Sequence, residues 1–265
     1  MAGLQTYAFD NARQVQEQRL RALEAALDAG TIRHLEAAGV GPGWRCLEVG
    51  AGGGSIAAWL SDRVGATGHV TATDLDTTVL RAVARPNLEV RAHDVLADDF
   101  PPAAFDLVHL RLVLAWLRDP AAALGRLRGW LKPGGVLVAE ELDFVTVVPA
   151  AVPDPDAAAV YERVVAAHLD ALEHVSGFDR AFGRRLPAAL AAAGFSAVGS
   201  EGRASIWSGG GPGMVVWRLT FEQLREPMLA AGTAAADVDR AIALCDDPRV
   251  QFVSPLVMAA WGHTA

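Results

Sequence analysis

The chain has few cysteines, no long apolar run and no leader-like start, and each absence excludes a class of protein. Only two cysteines occur, Cys46 and Cys245, so we expect two reduced thiols rather than a disulfide framework. No spacing typical of a metal site is present. No stretch reaches about 18 uninterrupted apolar residues, so we expect no membrane span. The N-terminus lacks a basic start followed by an apolar stretch, which predicts a cytoplasmic protein without a signal peptide.

Basic residues are also in deficit, since the formal net charge is −8. Binding to nucleic acid or to an anionic membrane depends on clustered Lys and Arg, and the chain has no such block. We therefore expect a small-molecule partner, no nucleic acid and no membrane. The sequence leaves the oligomeric state open, with a homodimer as one option. A hydrophobic content of 52% is ample for a packed core, and the abundance of Ala, Arg and Gly suggests a bacterial origin.

From Trp44 onward, short apolar runs alternate with amphipathic stretches, which is typical of an α/β fold with a parallel sheet and helices on both faces. The predicted strands are Trp44–Val49, His69–Thr73, Leu88–Arg91, Phe105–Leu110 and Gly135–Ala139. The predicted helices between them are Ser55–Val64, Thr77–Ala84 and Ala121–Leu131.

Other segments flank this alternating region. Before it we predict two helices, Gln14–Ala29 and Thr31–Ala38, separated at Gly30. After Asp143 we predict a proline-rich loop, the helices Asp156–Val175, Phe182–Ala193, Met214–Ala231 and Asp237–Cys245, and the strands Ala197–Ala204 and Gln251–Trp261. No linker is polar or long enough to divide the chain, so we expect a single domain, 1–265.

The densest signal is the segment 46–55, which reads as a strand, a glycine turn and a helix start. Glycines let a ligand press against the backbone, and the helix start offers free amide donors. Two nucleotide families compete for such a turn. The dinucleotide fingerprint is met with Ala57 in its third position, so NAD stays open. Glu48 favours the other family, because a carboxylate repels a pyrophosphate but attracts the ammonium and sulfonium of a methionine group.

Two further acids end neighbouring strands. Asp74 ends the second strand, where a carboxylate can accept hydrogen bonds from ribose hydroxyls. Asp94 ends the third strand, where a carboxylate can accept from the exocyclic amine of adenine. Each acid alone could be an ordinary solvated residue, but three acids at three strand ends indicate a nucleoside site.

These motifs together resemble class I S-adenosylmethionine (SAM) dependent methyltransferases. Residues 47–54 look like the first motif of that family, 73–76 its ribose motif, 93–95 its adenine motif, and 131–137 its turn into the fifth strand. The resemblance implies a Rossmann-like, seven-stranded, mostly parallel sheet with an antiparallel last strand, and S-adenosylhomocysteine as product. The residues implied in cofactor binding are Glu48, Gly50, Ala51, Gly52, Asp74, Leu75, Asp94, Val95, Leu110 and Arg111.

The same resemblance divides the single domain into an N-terminal helical cap (1–39), a SAM-binding core (40–143), a helical lid insertion (144–177) and a C-terminal part (178–265). It predicts methyl transfer to an oxygen, nitrogen or carbon of a small molecule by in-line displacement. An NAD-dependent oxidoreductase and a SAM-binding protein without methyl transfer remain alternatives.

Few residues are candidates for a general base. They are His109, Asp143, His168 and His174. The last two histidines are six residues apart on one predicted helix and should point in different directions. For each histidine a packing role competes with a catalytic one. Tyr7 and Asn11 would reach the pocket only if the N-terminal segment closes over it, and the aromatic residues Trp207, Trp217, Phe221 and Phe252 could line it or belong to the core.

Overall fold

The computed structural model describes residues 13–265; Tyr7 and Asn11 lie outside them. Eight α-helices occur in this range: α1 (Arg13–Ala37), α2 (Ser55–Val64), α3 (Pro120–Trp130), α4 (Pro155–Ser176), α5 (Phe182–Ala192), α6 (Pro212–Gln223), α7 (Arg225–Ala230) and α8 (Ala235–Asp246). Ten strands occur in the same range: β1 (Arg45–Val49), β2 (His69–Asp74), β3 (Leu88–Ala92), β4 (Phe105–Arg111), β5 (Leu131–Asp143), β6 (Pro149–Ala151), β7 (Ser196–Arg203), β8 (Ile206–Ser208), β9 (Gln251–Val253) and β10 (Leu256–His263).

The chain divides into two compact units. The first, called the sheet unit, comprises Leu27–Leu142, Ala181–Gly202 and Val257–Ala265. The second, called the helical unit, comprises, within the described residues, 13–26, Asp143–Arg180 and Arg203–Leu256. The predicted division into cap, core, lid and C-terminal part stays a prediction.

The sheet unit is built on a seven-stranded sheet of order β3-β2-β1-β4-β5-β10-β7. Strands β1 to β5 pair in parallel, and the last strand, β10, is antiparallel. The Rossmann-like fold class predicted from the sequence is therefore confirmed. Because β1 and β4 are central and buried on both faces, their side chains form near-continuous apolar runs. The carboxyl ends of β1 to β5 meet at one edge of the sheet, which is called the carboxyl edge below.

Helix α2 shows how the core is assembled in this unit. It begins directly after the glycine turn, and Ile56, Leu60 and Val64 are buried at spacings of four residues along one face. They pack with Cys46 and Val70 of the sheet in one apolar cluster. The helix start is thus fixed at the carboxyl edge by the packing of a single apolar face.

The helical unit has its own core. Helices α4, α6 and α8 pack together, and β6, β9 and β8 form a three-stranded antiparallel sheet. Tyr161 of α4 stacks on Phe252 of β9 with ring centroids 3.5 Å apart. Trp217 and Phe221 of α6 are buried beside Tyr161, so these aromatic residues form core. Trp207 is half-buried and covers Gly213.

Several predicted elements differ from those observed. Gly30 does not end a helix, because α1 runs through it to Ala37. The predicted helix Thr77–Ala84 is reduced to a single 3₁₀ turn, Leu80–Ala82. The segment Met214–Ala231 is two helices, α6 and α7, and the proline-rich loop contains the short strand β6.

The predicted late strand Gln251–Trp261 is two strands that belong to different sheets. It is interrupted between β9 and β10 at Ser254 and Pro255. Proline has no backbone N–H to donate to a strand ladder, so it suits a break between strands.

None of the helices described in residues 13–265 combines the length and the apolar character needed to cross a membrane.

Both cysteines should be unreactive in the native protein. Cys46 and Cys245 are fully buried, and burial raises the pKa of each thiol well above its ordinary value. Since the thiolate is the nucleophile, an aromatic disulfide reagent should label neither cysteine at pH 8 until denaturant is added. Labelling of one thiol per chain in native protein would show that the core around that cysteine opens to solvent.

Candidate functional site

The glycine turn has a backbone that only glycine adopts readily. Gly50, Gly52 and Gly54 have φ angles of 68°, 56° and 87°, in the left-handed region that disfavours residues with a Cβ. At Gly50 an added Cβ would lie 2.4 Å from Cγ2 of Val113. The turn therefore needs glycine both for its conformation and for its close packing.

Asp74 ties the glycine turn to the end of β2. Its Oδ2 accepts a hydrogen bond from the Gly52 N–H at 2.9 Å, and its Oδ1 accepts a longer one from Asp76 N–H at 3.3 Å. Burial raises the pKa of Asp74, and these N–H groups oppose that rise. A carboxylate has about four acceptor positions, so Asp74 retains capacity for two hydroxyl donors. Leu75 beside it is 71% exposed.

The end of β3 lies next to Asp74. The His93 N–H donates to the Asp74 carbonyl at 3.0 Å, and the residues that follow form a compact turn. In that turn Asp94 Oδ1 accepts from Leu96 N–H at 2.8 Å, while Val95 is buried. The ribose and adenine motifs predicted from the sequence are thus neighbours at the carboxyl edge.

Arg111 is the last residue of β4, and its guanidinium donates hydrogen bonds to side chains of α1. Arg111 donates to Thr31 Oγ1 at 2.8 Å and to Asp28 Oδ1 at 3.0 Å. Leu110, the preceding residue, is buried. Both are among the residues implied in cofactor binding, and both lie at the carboxyl edge on the β4 side of the glycine turn.

Buried acidic and histidine side chains of β1, β4 and β5 form a cluster next to the glycine turn. Glu48 of β1 and His109 of β4 are direct neighbours in the sheet register, and Glu48 Oε2 is 2.6 Å from His109 Nδ1. On the other side, His109 Nε2 is 3.9 Å from Glu140 Oε2 of β5. Burial alone would lower the pKa of His109, but Glu48 and Glu140 outweigh it and raise the pKa to about 9. His109 is therefore a buried imidazolium between two carboxylates.

The cluster continues into α1. His34 Nδ1 is 2.6 Å from Glu140 Oε1, and the Thr31 hydroxyl donates to the other oxygen of Glu140. Burial would raise the pKa of Glu140, but its hydrogen bonds hold the pKa far below its ordinary value. The pKa of His34 is raised, chiefly by Glu140, and its Nε2 is 2.9 Å from Glu201 of β7. Glu48, His109, Glu140 and His34 are thus linked in one buried network, called the charge cluster below.

The remaining base candidates belong to the helical unit. Asp143 is buried and its Oδ1 accepts from Val145 N–H at 2.9 Å. His168 is buried against Trp217, with ring centroids 4.7 Å apart, and burial lowers its pKa to about 3. His174, in the last turn of α4, is exposed, so the two histidines of this helix lie in different environments.

Comparison with known proteins identifies the class of domain. Residues 47–139 match the family model described as a methyltransferase domain, which spans the glycine turn, Asp74, Asp94 and β4 to β5. This part of the chain is similar to methyltransferase domains, in agreement with the class predicted from the sequence. The cofactor of that class is SAM, in agreement with the cofactor prediction.

Relatives match over about two fifths of the chain. The chain is 38% identical over 109 residues to an uncharacterized methyltransferase of Mycobacterium tuberculosis, covering 39% of this chain and 53% of the relative. It is 35% identical over 118 residues to the ubiquinone/menaquinone biosynthesis C-methyltransferase of Laribacter hongkongensis, covering 42% of this chain and 48% of the relative. The chain thus spans about half the length of the relatives it matches.

Solved structures agree in fold over a longer range. Phosphoethanolamine N-methyltransferase 2 of Haemonchus contortus, solved with SAM, gives a TM-score of 0.60 at 14% identity and covers 98% of this chain and 60% of that one. A SAM-dependent methyltransferase from Aquifex aeolicus gives 0.51 at 15% identity, with 92% and 96% covered. At these identities the likeness is one of fold.

Proposed function

We propose that this protein is a SAM-dependent methyltransferase that acts on a small-molecule acceptor and releases S-adenosylhomocysteine. The observation that carries the proposal is the hydrogen bond between the Gly52 N–H and Asp74. It joins a strained glycine turn to a carboxylate with spare acceptor positions, at the point where ligands bind in open parallel sheets. The matching methyltransferase domain surrounds that point.

The residues at the carboxyl edge fit the parts of SAM. Asp74 would accept from both ribose hydroxyls, and Asp94 would accept from the adenine amine. Gly50, Ala51 and Gly52 would leave space for the thioether region against the backbone. Glu48 would contribute little free negative charge, because His109 balances it within the charge cluster.

SAM would supply an electrophilic methyl carbon: the acceptor's lone pair would bond to that carbon in line with the carbon–sulfur bond, which would break and release S-adenosylhomocysteine. The chain's part would be to align the two molecules and exclude water, and alignment alone can account for much of such a rate enhancement. A general base must exchange protons near neutral pH. His109 has a pKa of about 9 and His168 of about 3, so we assign both a structural role.

The acceptor does not follow from the relatives. Their matches cover about two fifths of this chain and about half of each relative, so a relative's acceptor is not carried over to this chain. The acidic net charge of −8 supports a small molecule rather than RNA. A cytoplasmic location and a homodimer remain predictions.

Parallel calorimetric titrations with SAM, S-adenosylhomocysteine and NAD test the proposal. Micromolar binding of the first two ligands without binding of NAD is expected. Binding of NAD alone would mean that the glycine turn serves a dinucleotide. Conversion of SAM to S-adenosylhomocysteine in an acceptor screen then separates an enzyme from a protein that only binds SAM.

Asp74→Ala should weaken SAM binding by about 1–3 kcal/mol, because the ribose hydroxyls lose a charged acceptor and the Gly52 N–H loses its partner. Calorimetric titration of the variant with SAM measures this change. Asp62→Ala is the control and should leave the affinity unchanged, since Asp62 is a surface residue of α2 whose Oδ1 accepts from Arg85 Nε at 3.0 Å. Equal affinity of wild type and Asp74→Ala would remove Asp74 from the site.

A further inference from the structure

After β4 the chain forms a turn whose backbone needs hydrogen-bond partners from other parts of the chain. Leu112 has a φ of 59°, a conformation unfavourable for a residue with a Cβ. Its N–H donates to the Glu140 carbonyl at 2.8 Å. The next residues form a 3₁₀ turn, Leu114–Trp116. The first N–H groups of such a turn have no partner within the turn.

The side chain of Glu141 supplies those partners. Its Oε1 accepts from Val113 N–H at 2.9 Å and from Leu114 N–H at 2.6 Å, with Ala115 N–H at 3.4 Å. Glu141 is 1% exposed. Desolvation raises its pKa to about 8, although the three N–H groups oppose the rise. Burying an acid is costly unless it is hydrogen-bonded, and the three N–H groups of this turn are the hydrogen-bond donors that surround Glu141 Oε1.

The supported turn packs against the glycine turn. The Val113 side chain occupies the space beside Gly50 where a Cβ would lie, at 2.4 Å from Val113 Cγ2. Val113 therefore forms a wall of the glycine turn on the β4 side, whereas Asp74 lies on the β2 side. With the ribose on Asp74 and adenine beyond it at β3, the remainder of the nucleoside must extend toward β4.

We propose that Glu141 is a positioning residue that fixes the turn after β4, so that Val113 shapes the part of the site that takes the amino-acid end of the methyl donor. This rests on the proposed function. Glu141 would not touch the donor. It would set the affinity for the amino-acid end and leave the affinity for the adenosine end unchanged.

Two nucleosides separate these ends. S-adenosylhomocysteine has both ends, whereas 5′-methylthioadenosine has the adenosine and the thioether but no amino-acid end. Glu141→Leu removes the acceptor at similar volume and should weaken S-adenosylhomocysteine binding about tenfold, the size expected for unpaired buried donors. Binding of 5′-methylthioadenosine should change less than about twofold by the same reasoning, since that ligand makes no contact at the turn.

Glu141→Gln is the conservative variant, because its amide oxygen can accept the same N–H groups, and it should restore wild-type selectivity. Asp106→Leu is the matched control. Asp106 also accepts a backbone N–H, from Arg45 at 2.8 Å, but it lies near the start of β4, at the opposite edge of the sheet. It should leave the ratio of the two affinities unchanged.

Equal weakening of both nucleosides by Glu141→Leu, or no weakening in the folded variant, overturns the role of Glu141. If Glu141→Leu does not fold, Val113→Ala must show the selective loss, and its absence overturns the inference. Failure of the wild type to bind S-adenosylhomocysteine overturns the proposed function itself, which distinguishes the two.

Discussion

Replacement of His109 by leucine should lower the free energy of unfolding by about 3–5 kcal/mol, the usual cost of breaking a buried ion pair. The variant would leave the carboxylates of Glu48 and Glu140 buried without the imidazolium between them. Leucine fills similar space, so the loss is expected to come from charge rather than from a cavity. Urea denaturation with linear extrapolation measures it.

A second buried histidine serves as the control for His109→Leu. His93 is 6% exposed, packs on Phe100 and Trp130, and has a pKa lowered by burial. Within residues 13–265 neither of its ring nitrogens makes a hydrogen bond, so His93→Leu should cost little. In a double-mutant cycle, Glu48→Gln combined with His109→Leu should cost less than the sum of the single changes. Additive costs would contradict a direct interaction of Glu48 with His109.

Most strands at the carboxyl edge could be predicted because β1, β2 and β4 are largely buried. Runs such as Trp44–Val49 are mostly apolar, and the strands begin and end within one or two residues of the predicted positions for β1 to β4. Helix α2 has the predicted bounds, since its apolar spacing and its flanking glycines agree. Local pattern was sufficient for these elements.

The charge cluster could not be predicted, because it depends on register between distant strands. Glu48 and His109 are 61 positions apart, and they meet only because β1 pairs with β4 in this register. A shift by one residue would place their side chains on opposite faces of the sheet. A signal was nevertheless present: an acid and a histidine in strands of otherwise apolar residues both require buried partners.

The role of α1 was missed for a related reason. Gly30 costs about 1 kcal/mol in a helix interior relative to alanine, which predicts a stop when only propensity is considered. In the structure Thr31 and His34 bind Glu140 directly after that glycine. These buried contacts need the helix to continue, and they exist only in the folded chain.

The stability of the protein should fall steeply as the pH rises from about 6 to 9. His109 has a folded pKa of about 9, above its ordinary value of 6.5. A group with a raised folded pKa stabilises the fold fully below its unfolded pKa, and the stabilisation is lost as the pH rises through the folded pKa. For His109 this loss amounts to about 3 kcal/mol. Glu141, whose folded pKa is about 8, loses stability with rising pH in the same direction.

Scanning calorimetry at pH 6 and pH 9 measures this loss of stability as a fall in Tm, and variants show which residues cause the fall. Glu141→Gln should remove the part that Glu141 contributes, because its amide does not titrate, and His109→Leu should remove the part that His109 contributes. The raised pKa of His34 adds a further fall in the same direction, which both variants keep. Glu140 acts with the opposite sign: its lowered pKa stabilises the fold above its ordinary value and that stabilisation is lost in acid. The Tm should therefore be highest between about pH 5 and 6.5. A Tm at pH 9 equal to that at pH 6 would mean that His109 is neutral in the folded protein, and the charge cluster would then carry a net negative charge behind the glycine turn.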